Sequence, residues 1–296
     1  MTLHKTILLT GSTGLVGRSV AKSLMQQNIQ FIGTYNQHNK NITWPAIKAD
    51  LGKDELQILL TGHSFDTIIH CAGKIPDGIN TYEDCYLKNG EIDDSVIEYA
   101  ASNGVKKFIF ISTTNVYGFT DRLITEDSEP IVENLYSKRK LETENKLLSQ
   151  KDFISIILRI NAPYGEYQNA NTVLKIFVEK ALANYVIKYH GTGCRQQDFT
   201  HVDDIADAVL GCLKYQGENE IFNISAGKPV SMKQLAEIIL SLVPEPDSKI
   251  ESSGLIDSQE NYKALFDISK AKNKLGWEPR ISLKEGISKL INHLQN

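Results

Sequence analysis

Short apolar runs recur through the first half of the chain, and between them apolar residues fall at helical spacing. Ile7-Leu8-Leu9 is the first run, closed by glycines. Phe31-Ile32-Gly33-Thr34, Ile47-Lys48-Ala49, Asp66 to Cys71, Phe108 to Ile111 and Ile154 to Leu158 follow. Such runs read as strands buried on both faces of a parallel sheet. From Leu15 to about Gln27, Val16, Val20 and Leu24 repeat with the period of a helix. A second helix is predicted from Asn89 to Ser102, stopped by Asn103-Gly104. A third carries Tyr136 and Lys140. Strand and helix alternate throughout, the pattern of a doubly wound α/β sheet with ligands at the carboxyl ends of its strands.

After Arg159 the rhythm changes. Pro163, Gly165, Gly191, Gly193, Gly227 and Pro229 punctuate longer loops, and helices are predicted at 172–184, 203–215, 231–243 and 283–294. The expected fold is therefore α/β, a doubly wound parallel (Rossmann) sheet with a smaller C-terminal α/β substrate lobe. The dinucleotide-binding domain is placed at 1–160, with contributions from about 195–225. The substrate-binding lobe is placed at 161–296 and packs on the first rather than standing alone.

Bulk properties narrow the function. The 296 residues can bury a substantial core, and 41% hydrophobic with 23% charged residues is ordinary for a globular protein. A net charge of −4 offers no basic surplus for a nucleic acid partner. Cys71, Cys85, Cys194 and Cys212 form no C-x-x-C pair, which argues against a zinc site or a disulfide framework. No signal-like or bilayer-length apolar run is seen, so a reducing cytoplasm and no membrane contact are expected.

The first run leads into glycines at 11, 14 and 17. Glycines let the backbone approach a pyrophosphate, and the following helix offers free N–H groups at its positive end. A strand before and a helix after supply the context that this motif needs. The ribose-binding acid expected after the second strand is missing. Tyr35 and Asn36 stand there, followed by Gln37 and His38, with Lys40 nearby. That leans towards NADP over NAD and leaves both open. Asp50, after the third strand, reads equally as an adenine contact or as the cap of a helix beginning near Lys53.

Tyr136 and Lys140 are four residues apart and share a helix face. With the hydroxyl-rich strand end Ser112-Thr113-Thr114 upstream, they suggest proton transfer beside the cofactor. The late segments Asp198 to Ala206, Phe222-Asn223-Ile224 and Leu275 to Pro279 complete a set spread over nearly the whole chain. In this order the chain resembles the extended short-chain dehydrogenases/reductases, the NAD-dependent epimerase/dehydratase family of nucleotide-sugar enzymes. The resemblance implies that Gly11, Thr13, Gly14, Leu15, Val16 and Gly17 line the pyrophosphate and that Asp50 and Leu51 meet the adenine. It implies that Cys71, Ala72 and Gly73 pass under the nicotinamide ribose, with Asn89 behind the site. Thr113 takes the catalytic Ser/Thr position, and Tyr136 and Lys140 complete the catalytic set. Family members are commonly homodimers.

A free tyrosine titrates near ~10. A neighbouring ammonium and an oxidised nicotinamide both favour the phenolate, and a shift of ~3 units corresponds to about 4 kcal/mol. Tyr136 would then exchange a proton with a sugar oxygen while Thr113 orients it. The family's 4,6-dehydratases place Asp-Glu after the catalytic threonine. Here Thr114 and Asn115 stand there, so dehydration is not expected.

The substrate end departs from the family. The arginine expected before Asp198 is Gln197, and the substrate asparagine is Ala162. Arg195 and Asn161, displaced by two and one positions, are the candidates to replace them. Arg195 reads equally as a solvated loop charge. Asp203 is expected to cap the helix from Ile205, and His70 to be a packed core residue. Two reactions stay open, a 4-epimerase that keeps its dinucleotide and a 4-keto reductase that exchanges NADPH. A non-catalytic dinucleotide sensor or scaffold of the same fold is the rival from another class.

Overall fold

The structure, a computed structural model, describes residues 6–37, 42–77, 79–244 and 247–295. His38 and Lys40 lie outside them. Seven parallel strands form the main sheet: β1 (Ile7–Thr10), β2 (Phe31–Tyr35), β3 (Ala46–Lys48), β4 (Thr67–His70), β5 (Lys107–Thr113), β6 (Ile154–Ile160) and, from the second half, Glu220–Ile224. Between the last two lie three short strands, β7 (Pro163–Tyr164), β8 (Ile187–Tyr189) and β9 (Gln196–Gln197), then β10 (Thr200–His201); Glu220–Ile224 is thus β11. β12 (Val230–Ser231) and β13 (Ile250–Ser252) complete the set. The helices are α1 (Leu15–Gln26), α2 (Leu56–Leu59), α3 (Tyr82–Ser102), α4 (Leu135–Leu148), α5 (Val173–Leu182), α6 (Val202–Lys214), α7 (Met232–Leu240), α8 (Ser269–Leu275) and α9 (Leu283–Gln295).

The strand order is β11-β6-β5-β4-β1-β2-β3. The chain reverses direction across the sheet between β1 and β4, and a crevice opens at the carboxyl ends of those two strands. Alternation along each strand builds two cores. Leu9, Ile69, Ile109, Ile111 and Leu158 face Val20 and Leu24 of α1 and Ala206 and Val209 of α6. Leu8, Ile68, Phe108, Phe110 and Ile157 face Val96, Ile97 and Ala100 of α3 and Leu147 of α4. A third core joins α5, α7 and α9 through Phe177, Leu235 and Leu290. The second half therefore gives β11, α6 and α8 to the first layer system and keeps α5, α7 and α9 for its own.

Two sequence expectations need correction. α3 begins at Tyr82, not Asn89, because Thr81 and Asp84 form a reciprocal capping box. α6 begins at Val202 with His201 as its cap, the ring Nδ1 accepting from the Asp203 amide at 3.2 Å. Asp203 is instead in the first turn, where its carboxylate accepts from Ser19 Oγ of α1 at 2.6 Å.

Candidate active site

The crevice is floored by two loops that touch. Gly11 has φ +65°, and a Cβ there would lie 2.7 Å from Ala72 Cα. A Cβ at Gly17 would lie 2.1 Å from the Gly11 carbonyl oxygen, so α1 starts tight against the turn. Gly14 precedes α1 without any side-chain cap, which leaves the first-turn amides open to an anion. Gly14 is exposed, and Thr13, Leu15 and Val16 are half-buried around it. This cradle, which side chains at 11 or 17 would fill, fits a dinucleotide pyrophosphate. Gly11 N donates to Thr34 Oγ1 at 3.3 Å, tying the loop to the end of β2, where half-buried Tyr35 and exposed Asn36 follow.

Asp50 does not cap α2. Glu55 precedes that helix, and Asp50 closes a turn in which its carbonyl accepts from Lys53 N and Asp54 N. Its carboxylate lies 3.4 Å from Lys53 Nζ, and Leu51 beside it is buried.

After β4 the loop Cys71-Ala72-Gly73 runs along the cradle. Cys71 N donates to Thr10 O and Ala72 N to Thr10 Oγ1, both at 3.3 Å. Asn89, fully buried on α3, pins this loop: its Oδ1 accepts from Lys74 N at 2.7 Å and its Nδ2 donates to Lys74 O at 2.9 Å. A Cβ on Gly73 would lie 3.4 Å from Asn89 Oδ1 and 3.8 Å from Lys140 Nζ. The loop, Asn89 and Lys140 thus converge on one spot.

β5 ends at Thr113, whose hydroxyl accepts from Asn115 N at 3.2 Å and starts the 3-10 turn Thr114–Tyr117. Asn134 caps α4 by accepting from Ser137 N at 2.9 Å, which sets Tyr136 in the first turn and Lys140 one turn on. Both side chains are buried, at 8% and 5% exposure. Lys140 Nζ donates to Ile111 O at 3.0 Å and sits 4.3 Å over the Phe110 ring. Burial pulls this ammonium below its ordinary value, and Asp93, Glu144 and Cys71 oppose the pull. Burial pushes the Cys71 thiol up to about 12.

The expected acidification of Tyr136 by Lys140 is not what the chain's own field does. Burial raises the phenol, and Cys85 and Asp93 push the same way. In the field of the side chains alone the phenol is thus less acidic than a free tyrosine.

Behind these residues lies a polar layer that the sequence reading did not assemble. Arg159 of β6 forms a buried bidentate pair with Glu144, its Nε 3.1 Å from Oε2, and stacks 4.6 Å over Tyr117. Ser112 Oγ donates to the same carboxylate. His70 is packed in the core as expected, stacked on Phe110, yet it also bonds Thr10 and Asp93. The legible signal was spacing: Asp93 follows Asn89 by four, and Thr143 follows Lys140 by three.

At the substrate end, buried Asn161 accepts at Oδ1 from Gln197 Nε2 (2.9 Å) and Thr114 Oγ1 (3.2 Å), beside Ala162 at φ +32°. Arg195 is neither in this cluster nor a free loop charge. Its Nε lies 3.0 Å from the Asp257 carboxylate and its NH1 donates to Gln259 at 3.1 Å.

A parallel doubly wound sheet with a glycine cradle at its switch point, and a buried Tyr/Lys pair beside it, defines a Rossmann-type nicotinamide-dinucleotide enzyme. The NAD dependent epimerase/dehydratase family model matches residues 7–225, and the chain belongs to that family. It is 27% identical to Escherichia coli dTDP-4-dehydro-6-deoxyglucose reductase over 98% of this chain and 97% of the relative. It is 29% identical to a putative UDP-glucose 4-epimerase of Methanocaldococcus jannaschii over 98% of each. dTDP-D-glucose 4,6-dehydratases are among its other relatives. The solved UDP-glucose 4-epimerase of Thermotoga maritima with UDP-glucose superposes with a TM-score of 0.87 at 26% identity, covering 98% of each chain. No helix among the described residues is long and apolar enough to cross a membrane.

Proposed function

We propose that this protein moves hydride at a carbon of a nucleotide-activated sugar, with Thr113, Tyr136 and Lys140 as its catalytic set. The observation that carries the reading is the convergence of Lys140, Asn89 and the Gly73 loop beside the glycine cradle. NAD or NADP, when bound, supplies the hydride acceptor and donor. Gly11, Thr13, Gly14, Leu15, Val16 and Gly17 hold its pyrophosphate. Asp50 and Leu51 take the adenine end, Tyr35 and Asn36 the adenosine ribose, and Cys71, Ala72, Gly73 and Asn89 the other half. Lys140 holds the nicotinamide ribose and adds positive charge. A bound pyridinium would add positive charge beside the Tyr136 phenol and favour its ionised form. Tyr136 then takes a proton from the sugar hydroxyl and returns one to the ketone, with Thr113 orienting that oxygen. Burial keeps water from competing for these bonds.

Thr114 bonds Asn161, and neither Thr114 nor Asn115 is an acid, which supports epimerisation or keto reduction over 4,6-dehydration. The lack of a carboxylate in Thr34-Tyr35-Asn36-Gln37 favours the second reading, an NADPH-dependent 4-keto-sugar reductase. Asn161 and Arg195 are assigned to the substrate, Arg195 to its diphosphate after release from Asp257. The reading places the enzyme in the cytoplasm, in polysaccharide precursor synthesis. A homodimer through α3 and α4 is proposed with it, on exposed Tyr82 and Leu87.

The test is purification followed by mass identification of retained nucleotide, then mixing with UDP-glucose or dTDP-4-keto sugars. Tightly kept NAD with epimerised product supports the epimerase, and an exchanging NADPH supports the reductase. Dinucleotide binding without turnover of any sugar nucleotide would leave the sensor or scaffold reading.

A further inference from the structure

Trp44, in the connection between β2 and β3, is buried against the glycine turn. Its Nε1 donates to Ser12 Oγ at 3.2 Å. Ser12 lies between Gly11 and Thr13 and is fully buried. An indole nitrogen can only donate, so the hydroxyl accepts from it and keeps its own hydrogen for Thr34 O, 3.0 Å away. Thr34 O also accepts from Ser12 N at 2.9 Å, and Thr34 Oγ1 accepts from Gly11 N at 3.3 Å. The turn is thus tied to the end of β2 by bonds from Gly11 and Ser12. The indole fixes the one bond that a free hydroxyl could rotate out of.

The surroundings make room for this contact and hold it. A Cβ on Gly33 of β2 would lie 2.5 Å from Ser12 Oγ and 2.9 Å from Trp44 Nε1, so the bond needs a glycine there. Gly33 N donates to Pro45 O at 2.8 Å, which fixes the chain next to Trp44. The indole packs on Phe31, ring centroids 6.5 Å apart, and lies 5.9 Å from the guanidinium of Arg18 in the first turn of α1. Arg18 N in turn donates to Gly14 O at 2.9 Å. Trp44 therefore meets the chain before Gly14, at Ser12, and after it, at Arg18. These residues flank the amides assigned to the pyrophosphate.

We propose that Trp44 is a positioning residue of the cofactor site, an indole brace that keeps the Gly11–Gly17 turn in the shape that the dinucleotide pyrophosphate meets. The proposal rests on the reading of that turn as the pyrophosphate cradle. Without the brace the Ser12 hydroxyl is free to leave Thr34 O, and the turn must be ordered again each time a pyrophosphate binds. Thr113, Tyr136 and Lys140 stand on β5 and α4 and are left as they are.

The test uses the full chain labelled with ¹⁵N-tryptophan. The chain has two indoles, Trp44 and Trp277, and the Trp44 N–H resonance is the one lost in Trp44→Phe. Trp277 donates to Asp204 O of α6 and serves as the internal reference. The ligands are ADP, which carries a pyrophosphate without the nicotinamide, and adenosine, which carries no phosphate. ADP should shift the Trp44 resonance and leave that of Trp277 in place. Trp44→Phe, which keeps an apolar ring, should weaken ADP about three- to tenfold and adenosine less than about twofold. Ser12→Ala should weaken ADP at least as much, and the double variant no more than Ser12→Ala alone. An ADP affinity in Trp44→Phe equal to wild type overturns the proposal, and so does an equal loss for ADP and adenosine. If Trp44→Phe does not fold, the resonances in wild type and Ser12→Ala decide, and indole resonances that neither ADP nor the Ser12 change moves overturn it. A wild type that binds ADP no more tightly than adenosine would sink the cradle reading and the brace with it. A wild-type preference for ADP that Trp44→Phe keeps in full would sink the brace alone.

Discussion

Lys140 and Arg195, the cations assigned to cofactor and substrate, are held in opposite ways. Lys140 is 5% exposed, and a carbonyl, an aromatic ring and buried carboxylates surround it from three elements. Arg195 is 22% exposed and leans on Asp257, from a surface loop. Breaking a buried ion pair leaves an uncompensated charge and costs several kcal/mol, whereas a partly exposed pair is weak and exchangeable. The cofactor end is thus built to stay as it is. If Arg195 takes the substrate diphosphate as proposed, it must first leave Asp257, and that pair is the more exposed of the two.

The sharpest way to break that contrast is Tyr136→Phe. It should lower kcat roughly 100- to 10,000-fold while dinucleotide affinity changes by no more than about threefold. Calorimetric titration of the dinucleotide beside a turnover assay checks both, and a variant that still turns over would remove Tyr136 from the chemistry. Next is Glu144→Gln, which strips the Arg159 fork and the Ser112 acceptor together. It should cost about 3–5 kcal/mol of stability by urea unfolding. A cost under about 1 kcal/mol would mean that the buried layer relaxes as easily as a surface pair.

Arg195→Ala sharpens the other side. Stability should change by less than about 1 kcal/mol, and KM for a nucleoside diphosphate sugar should rise about tenfold. Asp257→Asn should lower that KM by freeing the guanidinium. Equal KM values in all three proteins would return Arg195 to a structural role.

The smallest effect belongs to Glu166, in the second lobe. His201, its Nε2 3.5 Å away, holds this carboxyl down at about 2 against an ordinary 4.5. A folded value below the unfolded one contributes stability that is full above pH 4.5 and is lost as pH falls through about 2. Glu166→Gln should therefore flatten the decline of the thermal midpoint below pH 4.5. Superimposable curves for the two proteins would show that the pair contributes nothing.

The glycine turn and the Tyr136/Lys140 helix face were legible in the sequence, because local rules govern them. A glycine whose Cβ would strike a backbone atom leaves a mark at a fixed spacing, and so do a tyrosine and a lysine on one helix face. The sequence carried less where contacts are long-range. Thr10 and Asp93 meet at His70, and Thr143 meets Asp93, only because β1, β4, α3 and α4 stack, and nothing in the sequence around Asp93 announces His70. The start of α3 was missed although Thr81 and Asp84 were in plain view, since the apolar periodicity is weak in its first two turns. His201 rather than Asp203 is the cap because the helix starts one residue before Asp203, whose own amide donates to the His201 ring. The Arg195–Asp257 pair joins residues far apart in the chain through a loop whose path no period predicts.

In the proposed reaction a buried phenol, made to ionise by charges brought beside it, exchanges a proton with a sugar oxygen. The most direct measurement mixes dinucleotide-loaded protein with UDP-glucose and with a dTDP-4-keto sugar, and follows the near-ultraviolet band of reduced nicotinamide in wild type and Tyr136→Phe. The band should rise or fall rapidly in the wild type with one of the two substrates and barely change in the variant. Identical traces in the two proteins would contradict it.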